Sequence, residues 1–313
     1  GAAKLRLLAG SYGTHLALAA IRAHEGSYDR VVLVGVVGPD HLRRSPADSD
    51  EQFARISRLA AASTAFDKGA FDLTGLFRRV RDRLRERPAT VVLETPDGDR
   101  RSIVIGGFEL EWYTRSLLTS RDAIAHLPAL LLAMDAGDFT ELARASDGWR
   151  SASFPSASIF THRCGSAGSP EREVRIAKER DLSVLGDATD FAERSVCRAW
   201  GIPPLPPDFR EAVRSILPTL LISGTLDGDA PETNAIEVLR GFPNGIHLSV
   251  DGATHALLGL EESSAREAIL RFFAGDSLRA RRIFLPALAF ERRVGSPSEP
   301  LLAAGAFPQK SPF

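Results

Sequence analysis

Three polar residues stand where short apolar runs end, and together they could attack a carbonyl and carry its proton. Ser11 closes the run Leu5-Arg6-Leu7-Leu8-Ala9-Gly10-Ser11-Tyr12-Gly13-Thr14-His15, in which apolar residues give way to small ones and a helical pattern starts at once. A strand, a sharp turn and a helix around a serine form a nucleophile elbow: the strained turn lifts the hydroxyl clear of the sheet and wants small residues two places either side, here Ala9 and Gly13. The backbone N–H of Tyr12 then points to where an oxyanion would form. A plain Gly-Ser turn or a weak phosphate loop would look similar, yet neither Walker A nor G-x-G-x-x-G is matched. Asp227 ends the β-rich run Pro218-Thr219-Leu220-Leu221-Ile222-Ser223-Gly224-Thr225-Leu226-Asp227, and His255 ends Gly245-Ile246-His247-Leu248-Ser249-Val250-Asp251-Gly252-Ala253-Thr254-His255. A serine nucleophile needs a base and the base needs an orienting acid, so the three types suit acyl transfer. Each follows a predicted strand, where open α/β sheets place their sites.

The chain order Ser, Asp, His is the α/β-hydrolase order. Over most of its length the chain resembles the proline iminopeptidase and tripeptidyl aminopeptidase-like serine peptidases of that superfamily. Four stretches carry the resemblance: Gly10-Ser11-Tyr12-Gly13-Thr14-His15, Gly35-Val36-Val37-Gly38-Pro39-Asp40, Ser223-Gly224-Thr225-Leu226-Asp227-Gly228 and Gly252-Ala253-Thr254-His255. The resemblance implies Ser11 as nucleophile, His255 as general base and then acid, Asp227 as the orienting acid and the Tyr12 N–H as oxyanion donor, with no metal and no organic cofactor. The implied substrate is a short peptide cut near its N-terminus; a carboxylesterase with the same triad is the alternative. Asp229 and Asp251 compete with Asp227 for the acid's place. The resemblance also implies a mostly helical cap, in which Glu109, Glu111 or Glu141 could hold a substrate's α-amino group, although plain surface carboxylates are the simpler reading of each. Such hydrolases carry several strands and a Gly-rich His-Gly-Gly-type loop before the elbow, whereas here Gly1-Ala2-Ala3-Lys4 leads straight into it. The N-terminal part of the fold is therefore expected to be missing, with the elbow strand open to pairing with the absent segment and the chain poorly active alone. A non-catalytic fragment, or one half of a split protein, is the competing reading from another class.

The elements that must position these residues form an α/β fold, the C-terminal part of an α/β-hydrolase with a large helical insertion. Residues 1–40 and 216–275 make the partial core, 41–215 the helical cap and 276–313 a C-terminal tail. Thr14 to His24 is apolar enough for a buried helix, and Val31 to Val37 is a nearly continuous β-branched run, as in a strand covered on both faces. The strands at Leu5, Val31, Thr219 and Ile246 should line up in that order, mainly parallel. Within the insertion, Asp50 to Ala62 and Leu73 to Arg87 read as amphipathic helices, the second with a basic face suited to solvent. Thr90 to Glu94 and Arg101 to Ile105 flank Pro96-Asp97-Gly98 as a hairpin, and Pro128 should kink or divide the apolar helix from Ser120 to Met134. Trp112, Trp149 and Trp200 read as packing residues.

Composition narrows the class. Hydrophobic residues at 44% and charged residues at 25% are those of a globular protein, and a formal net charge of −1 argues for neither nucleic acid nor an anionic membrane. No apolar run is long enough to cross a bilayer and no signal peptide pattern opens the chain. The two cysteines, Cys164 and Cys197, lack metal-ligand spacing. As a pair in an extracytoplasmic protein they would close a loop of the insertion; otherwise they are two buried thiols, and the compartment stays open.

Overall fold

The centre of the molecule is built from chain that nothing but a parallel sheet would bury so completely. β2 (Tyr28–Val34) and β5 (Thr219–Gly224) pair in parallel, and Val31, Val32, Leu33, Leu220, Leu221 and Ile222 are all fully buried. Apolar residues on both faces mean that both faces are covered, which is why the runs do not alternate. The computed structural model describes residues 4–67, 69–94, 98–151, 157–189, 191–255 and 263–292. In it, a five-stranded parallel sheet runs β1 (Leu5–Gly10), β2, β5, β6 (Gly245–Asp251) and β7 (Arg282–Phe284). The first four stand in the order expected from sequence. β7 comes from the C-terminal tail: Ile283 pairs with Val250, so the sheet extends into residues 276–313. Residues 293–313 lie outside the described residues.

Side chains of a strand alternate between faces, and each face meets its own helices. On one side α1 (Tyr12–His24) and α10 (Glu232–Leu239) pack Leu18, Ile21, Ala235 and Val238 against Val31, Leu33 and Leu221. On the other, α11 (Ser263–Ala274) sets Ile269 and Phe272 against Val32, Val34, Leu220, Ile222, Leu248 and Val250. The expected start of α11 at Glu261 falls outside the described residues.

The chain divides into two compact units, and the division cuts through the expected cap. Gly1–Asp48, Ser156–Glu179 and Asp190–Ala287 form one unit, which holds the sheet; Ser49–Pro155, Arg180–Thr189 and Leu288–Phe313 form the other. Parts of 41–215 thus group with the sheet, and the reason is visible in their contacts. In the first unit, α7 (Ala157–Ser166), most of α8 (Pro170–Leu182) and α9 (Phe191–Trp200) are held by three kinds of bond. Ser169 donates to Asp40 through both its N–H and its hydroxyl at 2.7 Å, Arg43 meets Glu173 at 3.0 Å, and Cys164 of α7 is disulfide-bonded to Cys197 of α9 with Cα atoms 5.3 Å apart. The alternative of two free thiols is thereby set aside.

The second unit contains most of α2 (Pro46–Ala62), with α3 (Leu73–Glu86), the antiparallel pair β3 (Ala89–Glu94) and β4 (Arg100–Ile105), α4 (Gly107–Leu117), α5 (Arg121–Asp135) and α6 (Thr140–Ser151). Of the expected turn Pro96-Asp97-Gly98, the first two residues lie outside the described residues. α5 runs through Pro128 without a break. Its apolar face, with Ile124, Leu127, Leu131 and Met134 buried, holds the helix together where one backbone hydrogen bond is lost. The basic face of α3 is solvated as expected, with Arg78, Arg79, Arg83 and Arg85 exposed, and three of its arginines also reach neighbours: Arg85 meets the buried Glu111 at 2.5 Å, Arg81 donates to the Val184 carbonyl at 2.9 Å, and Arg83 donates to the Asp135 carbonyl at 3.0 Å, at the negative end of α5. Among the described residues no helix is long and apolar enough to cross a membrane.

The disulfide spans 33 residues of sequence, so in the chain-entropy model its loss should cost about 3–4 kcal/mol. Urea unfolding with and without reductant, beside a Cys164→Ser, Cys197→Ser double variant, should show the untreated protein more stable by about that amount and the reduced protein equal to the variant.

Candidate active site

The site begins with a backbone that only tight surroundings could hold. Ser11 has φ 51° and ψ −125°, in the left-handed half of the map that L-residues avoid. Such a conformation costs of order 1–3 kcal/mol and persists where neighbours over-determine it. Four bonds do so: Ser11 N–H donates to the Val34 carbonyl at 2.8 Å, the Ser11 carbonyl accepts from Thr14 N–H at 2.9 Å and from the Thr14 hydroxyl at 2.6 Å, and Val37 N–H donates to that same hydroxyl oxygen at 2.8 Å. Thr14, fully buried, therefore stitches the turn to the loop after β2. α1 starts at Tyr12, two residues earlier than the sequence pattern suggests. The Tyr12 N–H is the first of the helix, one of those with no partner inside it, at the positive end of the helix dipole.

The loops after β5 and β6 bring the other two groups to the same place. Gly224 lets them touch, since a Cβ there would lie 2.3 Å from the Ala253 carbonyl oxygen. Leu226 N–H donates to that oxygen at 2.9 Å, and Gly252, at φ 80°, turns the β6 loop while its N–H donates to Thr225 Oγ1 at 2.9 Å. Asp227 is held by two backbone donors, the N–H groups of Asp229 and Ala230, each 2.9 Å from Oδ1. Its Oδ2 lies 2.9 Å from His255 Nδ1, and His255 Nε2 lies 2.8 Å from Ser11 Oγ. An ionised carboxylate only accepts, so Nδ1 carries the imidazole proton and Nε2 accepts from the serine hydroxyl. Ser11, His255 and Asp227 thus form one hydrogen-bonded chain, with the aspartate side chain fully buried and the histidine partly open.

The rival acids point elsewhere. Asp229 faces Arg44 at 3.6 Å, and Asp251 accepts from the Thr225 hydroxyl at 2.8 Å and faces Arg282 at 3.5 Å. The glutamates considered for an α-amino group brace the second unit: Glu109 accepts from Gly106 N–H at 2.8 Å and pairs with Arg150, Glu111 is buried against Arg85, and Glu141 accepts from the Tyr113 hydroxyl at 3.5 Å. Trp112 and Trp149 pack on each other at 4.8 Å. Among the described residues, no group of three or more His, Cys, Asp or Glu side chains is placed to hold a metal ion.

Two histidines that carry no local signal lie beside the elbow. His15 is buried; its Nδ1–H donates to the Gly38 carbonyl at 3.0 Å and its Nε2 accepts from the Ser166 hydroxyl at 3.1 Å. Burial pushes its pKa down, which keeps it in the neutral form this pattern needs. His162 stacks on the Tyr12 ring with centroids 4.0 Å apart and planes 19° apart, and burial lowers its pKa too. Both contacts join α1 to α7 across some 150 residues of chain, beyond the reach of any local pattern.

A parallel sheet with a strand–serine–helix turn at one strand end and an acid and a histidine after two others defines a class of fold rather than one enzyme. Residues 184–282 match the family model described as TAP-like protein (Abhydrolase_4), a span that includes Asp227 and His255 but not Ser11. With this match, the sheet order and the Ser11 turn, the fold is part of the α/β-hydrolase architecture with helical additions. No curated protein matches it. Similar solved structures include a serine hydrolase involved in carbazole degradation (CarC; 15% identity, TM-score 0.31, 88% of this chain and 65% of that one). Others are a variant of the meta-cleavage product hydrolase CumD (12%, 0.35, 87% and 66%) and a putative non-heme bromoperoxidase, BpoC, from Mycobacterium tuberculosis H37Rv (17%, 0.33, 88% and 68%). The chain spans less than two thirds of the first two of these.

Burial lowers the pKa of His15, His162 and His247, so folding favours their neutral forms. The stability they contribute is full above the ordinary histidine value near 6.5 and is lost as the pH falls below it. Urea midpoints measured from pH 7.5 down to 5 should decline, and His15→Gln should flatten that decline; an unchanged slope would show that His15 does not titrate on unfolding.

Proposed function

We propose that the chain is a serine hydrolase acting on short peptides near their N-terminus. The observation that carries the reading is the chain of hydrogen bonds from Ser11 Oγ through His255 to Asp227 Oδ2, with the serine in a strained elbow. Ser11 Oγ attacks the substrate carbonyl carbon as its proton passes to His255 Nε2. Asp227 holds the imidazole in the right tautomer and supports the imidazolium. Negative charge develops on the carbonyl oxygen, where the Tyr12 N–H receives it. His255 then protonates the departing amine, and water, deprotonated by the same nitrogen, releases the acyl group from Ser11. The peptide substrate rests on the TAP-like match over residues 184–282. The Cys164–Cys197 bridge supports an oxidising compartment.

A second proposal concerns the sheet edge. Among the described residues β1 pairs with β2 alone, and Leu5 is 57% exposed. Such an edge offers unpaired backbone groups beside apolar surface. A strand from a segment outside this chain would cover it, and the loop following that strand would give the oxyanion its second donor.

A matched panel of aminoacyl p-nitroanilides and p-nitrophenyl esters tests the first reading. Ser11→Ala and Asp227→Asn should each lower kcat by about 10⁴ or more. Cleavage of esters without anilides would make the protein a carboxylesterase instead. Turnover by the chain alone, set against the same chain extended at its N-terminus, tests the second: the extension should raise kcat by roughly 10²–10³, the value of one oxyanion donor.

A further inference from the structure

The contacts between α7 and the first turn of α1 are not explained by the triad. His162 and Ser166 stand one turn apart on α7, and Tyr12 and His15 stand one turn apart on α1, so two pairs form along one seam: the His162 ring on the Tyr12 ring, and the Ser166 hydroxyl on His15. The His15 ring lies in turn edge-on to Phe209 at 5.3 Å. Tyr12 also packs on Val37, Leu42 and Ala230, so its side chain is gripped from the sheet loops as well as from α7. His162 is itself fixed: it hydrogen-bonds the Ser158 backbone one turn back, and its helix is anchored two residues on by the Cys164–Cys197 bridge.

What is gripped matters because of what it is attached to. The peptide plane between Ser11 and Tyr12 carries the N–H that faces a developing oxyanion, and its tilt is set by the strained ψ of Ser11 and the position of the Tyr12 Cα. Thr14 holds this planar unit through its two bonds to the Ser11 carbonyl, and the Tyr12 Cα end of the same plane is held through the Tyr12 ring, on which His162 stacks. We propose that His162 is a positioning residue, which clamps the Tyr12 ring and thereby aims the Tyr12 N–H at the oxyanion. The inference rests on Ser11 being the nucleophile. It assigns a role in the reaction to a helix distant in sequence from the triad. A donor that acts only on the charge of the transition state changes kcat and leaves substrate binding alone.

The test uses three variants of the full chain, His162→Ala, His162→Leu and His162→Phe, the last restoring a flat ring and the Leu filling space without one. Two readouts follow: the rate of Ser11 labelling by a fluorophosphonate, and kcat and KM on p-nitrophenyl acetate. The Ala and Leu variants should lose about tenfold in kcat and in labelling rate, part of the roughly 10²–10³ that a whole oxyanion donor is worth, with KM within about twofold. His162→Phe should recover most of the loss. Should the Ala variant fail to fold, the Leu and Phe pair carries the comparison. Wild-type rates in the Leu variant, or equal losses in Leu and Phe, would overturn the clamp while leaving Ser11 as nucleophile. A wild-type protein that the fluorophosphonate does not label at Ser11 would overturn the active-site reading, and the clamp with it.

Discussion

The left-handed backbone at Ser11 is the constraint on which the arrangement of this molecule turns. A serine at φ 51° is unfavourable alone, so it exists only where β1, α1 and the loop after β2 close on it together. Thr14 is the joint: one hydroxyl donates to the Ser11 carbonyl and accepts from Val37 N–H, and it does so in a fully buried place where an unmade bond would be expensive. The sheet order follows from the same demand. With β2 beside β1 and β5 beside β2, the loops after β2, β5 and β6 all end at the turn, and Asp227 and His255 reach the serine without long side chains.

Asp227 shows how backbone donors aim a carboxylate. Asp227 and Asp229 lie in the loop after β5 and Asp251 ends β6, and charge alone does not distinguish the three. What separates them is that the Asp227 Oδ1 is held by the N–H groups of Asp229 and Ala230, so that Oδ2 has one direction left to point. Gly224 contributes by omission: a side chain there would push the two loops apart and with them Asp227 from His255.

The parts legible in sequence were those written locally. Ser11, Asp227 and His255 each follow an apolar run, and small residues flag the turns, so the sheet order and the meeting of the three groups could be read from short windows. The parts that were not legible depend on distant partners. The basic face of α3 is the solvated surface its pattern describes, but the partners on which Arg81, Arg83 and Arg85 end, Val184, Asp135 and Glu111, lie in no window of α3. Pro128 looked like a break, but burial of the neighbouring face keeps α5 whole. His15 and His162 carried no signal at all, because their meaning lies in a seam between helices that the chain brings together only once folded.

The parallel pairing of β2 with β5 has a consequence for how the molecule comes into being. Val31 is matched with Thr219, so the middle of the sheet waits while the whole insertion leaves the ribosome, and Ser11 waits for a histidine 244 residues downstream. Sheets closed by such long loops form slowly and leave strands bare in the meantime. In a nascent chain β1, α1 and β2 can gather early, but the elbow is then strained with nothing to hold its hydroxyl, and the second compact unit has time to fold first. Synthesis from the N-terminus therefore produces Ser11 long before His255, and a polypeptide halted between them would hold the strained turn without the ring that accepts its hydroxyl proton.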